Sequence, residues 1–147
     1  MRDAWYFGIS EQSKAAVHRR ADAQSLFDAE RWQGAMYLAG YALECLLKAK
    51  LMKQYGCRQL DDLGDEFVRR GLLEDSSSVY THEFALLFKW SGRLNSLQQD
   101  RTINRAFAKA NRWSPSWRYS SAASQRESAE EFLVAIDSVR QWVETNL

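Results

Sequence analysis

In 147 residues the chain has one proline, Pro115, seven glycines, two histidines and two cysteines, and each scarcity excludes something. With so few helix breakers, long segments run uninterrupted. No stretch alternates apolar and polar residues convincingly, so strands are not expected. Cys45 and Cys57 have neither metal-like spacing nor a nearby histidine, and they read as reduced thiols rather than a disulfide framework. A net charge of +1 gives no global pull toward nucleic acid or anionic membrane, so any such affinity must come from local clustering. The opening MRDAWYFGISEQ lacks the apolar run of a signal peptide, and no apolar stretch is long enough to cross a bilayer. The expectation is a cytoplasmic protein with no membrane partner. A glycine-rich phosphate loop, a His/Cys/carboxylate cluster at ligand spacing and a nucleophile elbow are all missing, so neither metal nor cofactor is expected.

What is present is apolar surface: 46% of residues are hydrophobic and 13% aromatic, enough for one sizeable core. Length argues for one domain over residues 1–147, with its core from about 11 to 145. The pattern predicts an all-α fold. A helix from about Glu11 runs through Trp32, a break falls at Gln33–Gly34, and an apolar helix ends at Gly56, giving an antiparallel pair. The acidic segment from Asp61 to Asp75 predicts a short surface helix followed by a Ser76–Ser78 loop. Thr81 is a suitable N-cap for a helix that places His82 at its first position and continues past Phe88 to Leu94. A further helix starts near Leu97 and stops before Trp113-Ser114-Pro115. Ser121 or Ser124 caps a last helix carrying Ala129, Phe132, Leu133, Ile136, Val139 and Val143.

The apolar helix holds one anomaly. Between Ala35 and Leu47 the only charge is Glu44. A helix apolar on nearly every side must be buried on nearly every side, at the centre of a bundle or partly against a second subunit. Small residues at Ala35, Ala39, Gly40 and Ala42 permit close approach and point to a homodimer. A buried carboxylate is costly unless paired, and Lys48 at i+4, Tyr41 at i−3 and Tyr37 at i−7 share its face. A buried polar group of Glu44, Lys48 and Tyr41 is expected, in its plainest form an ion pair with Lys48 snorkelling outward.

The second concentration of charge lies later. Between Gln99 and Arg126 there are six basic residues and one acidic, a local net of +5. Arg101, Arg105, Lys109 and Arg112 fall opposite the apolar Ile103, Ala106, Phe107 and Ala110 at helical spacing. Arg112 and Arg118 bracket a turn with Trp113, Trp117 and Tyr119, combining phosphate donors with stacking surfaces. The plain alternatives are a solvated face whose arginines meet the acidic segment at Asp61–Asp75, of the same or of another subunit, and tryptophans that merely fill the core. His82 reads as a packing or capping residue, and His18, beside Arg19 and Arg20, as solvated.

Three segments together, AMYLAGYALECLLKAKL at 35–51, THEFALL at 81–87 and WSPSWRY at 113–119 before a final amphipathic helix, resemble the HEPN domain family, a helical module of prokaryotic toxin–antitoxin, defence and RNA-processing systems. The resemblance implies an up-and-down bundle of four to five main helices with a short extra one, and dimerisation. Many members are metal-independent ribonucleases in which an arginine is followed four to six residues later by a histidine. Here the matching place reads Arg112, WSPSW, Arg118 and Tyr119, and neither His18 nor His82 stands at that spacing. An arginine cannot act as a base near neutral pH. The expected function is therefore a non-catalytic or degenerate module that binds RNA or a nucleotide through Arg101, Arg105, Lys109, Arg112, Trp117, Arg118 and Tyr119, or a partner protein. The resemblance implies a nucleotidyltransferase-type antitoxin as that partner. One alternative is a metal-independent ribonuclease toxin using Arg112, Arg118 and Tyr119 with His82 or Glu44 as acid–base group. The other is a purely structural dimerisation protein.

Overall fold

The computed structural model describes residues 8–120 and 124–147. The chain is all-α, 79% helical, with no strand among the described residues. Among the described residues seven α-helices follow one another: α1 (Ile9–Asp28), α2 (Trp32–Gln54), α3 (Leu60–Arg69), α4 (Phe84–Ser91), α5 (Leu94–Gln99), α6 (Arg101–Ala110) and α7 (Arg126–Asn146). Single 3-10 turns lie at Ser76–Tyr80 and Pro115–Tyr119. No helix is long and apolar enough to cross a membrane among these residues.

The apolar sequence of α2 explains its place. It packs against α1, α7, α4, α3 and the Pro115–Tyr119 turn, and Leu43, Leu47, Leu51 and Met52 are fully buried. Each such side chain contributes about 1.5–3 kcal/mol relative to exposure. The small residues Ala35, Ala39, Gly40 and Ala42 are buried within the chain's own bundle, whereas Met36, Tyr37, Leu38 and Tyr41 of the same helix are only partly covered.

Several boundaries differ from the sequence expectation, each for a local reason. The α1–α2 turn falls at Ala29–Arg31, not at Gln33–Gly34. Glu30 adopts φ 61°, Glu30 N–H bonds to the Phe27 carbonyl and Arg31 N–H to the Leu26 carbonyl at 2.8 Å, which closes α1 in a Schellman motif. Gly34 is instead inside α2, against Leu26. The other end of α2 uses the same motif with Gly56 at φ 68°. Helix α4 begins at Phe84, leaving His82 in the extended segment before it. Thr81 Oγ1 accepts from the Glu83 N–H at 3.2 Å and so shapes that segment rather than capping the helix. Helix α4 stops at Gly92. Residues expected to form one helix from Leu97 form two, because the Asp100 side chain accepts from the Thr102 and Ile103 amides and starts α6 afresh. The Ser76–Ser78 segment is a 3-10 turn whose Ser76 carbonyl presses on Gly64 of α3. Gln125, not a serine, precedes α7; Ser124 donates to Gln33 Oε1 at 2.7 Å instead, and Ser121 lies outside the described residues.

Candidate functional site

The buried carboxylate of Glu44, 3% exposed, uses both oxygens. Lys48 Nζ lies 3.2 Å from Oε2, and Nδ1 of His82 lies 2.5 Å from Oε1. Lys48 does not snorkel: it is 4% exposed and stays beside its partner. Tyr41 makes no hydrogen bond to Glu44, and its ring stacks on Tyr37 at 6.4 Å. Burial first, then the charges that Cys45 and Glu44 bring, push the Tyr41 hydroxyl up to about 12. Burial and then Glu44 likewise push the Cys45 thiol up to about 12.

His82 belongs to both halves of its surroundings. Its side chain is 52% exposed, and Nε2 makes no hydrogen bond to any described residue. It lines a cavity of about 610 Å³ with Thr81, Glu83, Phe84, Asn111, Ser114 and Pro115, bounded by Trp113. Trp113 is buried, stacked between Tyr37 at 6.2 Å and Phe84 at 5.2 Å, and its Nε1 donates to the Tyr37 carbonyl at 3.0 Å. Both faces of the indole are covered, so it serves as a post that fixes the 113–119 turn to α2.

Trp117 is half-buried against Phe132 of α7, its carbonyl accepting from Gln33 Nε2 at 3.4 Å. It lines a second cavity, of about 300 Å³, with Lys109, Arg112, Gln33, Ser128 and Glu131. Lys109 bridges to Glu131 at 2.7 Å, and that hydrogen bond, followed by the Lys109 and Arg112 charges, holds the Glu131 carboxyl below its usual range. Arg101, Arg105 and Arg112 are exposed and make no ion pair among the described residues. Within the chain the acidic segment forms no ion pair with them, and its Glu66 pairs with Arg69 and Arg70 instead. Arg118 reaches toward Tyr37 and covers the ring of Tyr119 at 4.7 Å, and Tyr119 is 76% exposed.

Successive turns of α2 therefore carry successive parts of the site. Gln33 meets Trp117, Tyr37 meets Arg118, Gly40 meets Trp113 and Glu44 meets His82. At 1.5 Å per residue the Tyr37 and Glu44 positions are about 10 Å apart. Arg118 and His82 lie along one helix, whereas Arg112 opens onto the cavity beside α7. Sequence reasoning missed Glu131, Gln33, Asn111 and Ser114, which reach these cavities from other elements; Glu131, in the second turn of α7, was the one with a readable charge. No group of three His, Cys, Asp or Glu side chains among the described residues is placed to hold a metal.

Comparison with known proteins finds no matching family model, no similar curated protein and no matching solved structure.

Proposed function

We propose that the chain is a helical module that contacts RNA or a nucleotide through the outer face of α6 and the cavity at its end. The observation that carries this is charge left uncompensated on Arg101 and Arg105, next to a cavity where Glu131 engages Lys109. Arg101 and Arg105 project from α6 without a carboxylate partner among the described residues, and Lys109, Arg112 and Trp117 meet at the cavity of about 300 Å³. Arg101, Arg105 and Lys109 occupy one face over about 12 Å of helix, a span suited to neighbouring phosphates. Trp117 and exposed Tyr119 supply flat surfaces beside these donors. In this reading the module works in the cytoplasm and, as the HEPN resemblance implies, acts as a homodimer with a nucleotidyltransferase-type partner.

Fluorescence anisotropy with a labelled single-stranded oligoribonucleotide tests it. Weak binding that falls steeply with salt is the expected result. No binding at low salt would overturn it and favour an acidic protein partner for the same arginines.

A further inference from the structure

Contact with phosphates asks nothing of a buried carboxylate that holds a half-exposed histidine. We infer that Lys48, Glu44 and His82 form a proton-transfer unit in which His82 Nε2 accepts a proton from a hydroxyl, of water or of a small ligand, held in the cavity of about 610 Å³ beside Asn111, Ser114 and Pro115. This inference does not rest on the RNA reading.

The arrangement follows from the contacts. Lys48 Nζ occupies one oxygen of the buried Glu44 carboxylate at 3.2 Å and leaves the other to accept from His82. With Nδ1 carrying that proton at 2.5 Å from Oε1, the imidazole is fixed in the tautomer whose lone pair is on Nε2. Nε2 has no described partner, and the side chain is 52% exposed. Of the charged groups around it, Glu44 and Lys48 come from α2 and Glu83 from its own segment; the 111–115 side contributes Asn111, Trp113, Ser114 and Pro115 but no charged wall residue. When Nε2 takes a proton, the Glu44 carboxylate against Nδ1 stabilises the imidazolium. A purely structural tie between α2 and the start of α4 would need only Nδ1. The cavity is the size of a small-molecule site, with apolar walls from Phe84 and Pro115 and hydrogen-bonding groups from Asn111 and Ser114.

Attack of water on an activated ester is the reaction that probes this base. Water oxygen bonds to the carbonyl carbon while its proton passes to Nε2; the carbon–oxygen bond to the leaving group then breaks, and the leaving oxygen departs with the proton returned from Nε2. The probe is p-nitrophenyl acetate, assayed from about pH 5 to 9, alongside long-range nitrogen-15 NMR of the two imidazoles. The expected results are that His82 shows the Nδ1–H tautomer, and that hydrolysis rises as one group deprotonates. Hydrolysis is expected to drop at least about tenfold in His82→Gln, given the usual worth of a positioned base. It should survive in His18→Gln, whose imidazole is exposed on α1. Glu44→Gln should loosen the tautomer and displace the pH profile. Should Glu44→Gln fail to fold, His82→Gln carries the test alone, since that position is half-exposed. An Nε2–H tautomer at His82, or hydrolysis unchanged in His82→Gln, would overturn the inference.

Discussion

Trp113 rests on the backbone of Gly40 so closely that a β-carbon at position 40 would stand 2.1 Å from its Cδ1. The indole has nowhere to retreat, because Tyr37 and Phe84 cover its two faces and its Nε1 is bonded to the Tyr37 carbonyl. Gly40→Ala is therefore expected to lower stability by about 1–3 kcal/mol, the usual cost of overpacking. It should also disturb the cavity that Trp113 bounds. Urea unfolding gives the first quantity; an unchanged midpoint would show that the turn can shift off α2 at little cost.

Glu44→Ala leaves Lys48 buried and unpaired, and about 3–5 kcal/mol of stability should go with it. Replacing both, as Glu44→Leu with Lys48→Met, should recover most of that loss, because an apolar pair of similar volume removes the desolvation cost of two charges. If the double variant is no better than Glu44→Ala, the His82 contact, not the ion pair, supplies the stability.

High pH should weaken the fold. Tyr41 and Cys45 both have folded-state pKa values raised to about 12, from ordinary values of 10.0 and 9.0. A group raised in this way contributes stability that is fully present below its unfolded pKa and is lost as pH climbs toward the folded value. Melting temperature should thus be level near about pH 8 and decline from about pH 9 upward. Cys45→Ala should make that decline shallower, and the same slope in both proteins would count against the burial-driven shift.

The helical class, the central burial of α2, its end at Gly56 and the interruption at Pro115 could all be read from spacing, because each depends on residues near one another in the chain. The α1 end could not, since its left-handed position is occupied by Glu30 rather than by glycine or asparagine. The start of α6 had a readable signal in Asp100, two residues before Thr102, that the apolar periodicity around Leu97 obscured. Spacing along one helix placed Lys48 beside Glu44, but the partner that changes the chemistry, His82, comes from 38 residues away. The same limit applies to Lys109 and Glu131, which meet only because α6 packs on α7.

On the basic face, charge reversal separates specific donors from general attraction. Arg101→Glu with Arg105→Glu should weaken oligoribonucleotide binding at least about tenfold, and should flatten the salt dependence by roughly 0.7 in log–log slope for each phosphate that is no longer neutralised. Lys109→Ala should do less, since that lysine is already engaged with Glu131 at 2.7 Å. Equal effects from Lys109 and the two arginines would show that Glu131 releases its partner on binding.

The left-handed turn at Glu30 has a consequence for improving the protein rather than damaging it. The side chain there is exposed and makes no ion pair among the described residues, while its φ of 61° carries a steric cost that glycine avoids. Glu30→Gly is expected to raise stability by up to about 1 kcal/mol, the relief of strain outweighing the added freedom of the unfolded chain. The left-handed corner of the α1–α2 hairpin is thus held in shape by the two helices it joins, and it is a place where the sequence leaves stability unclaimed.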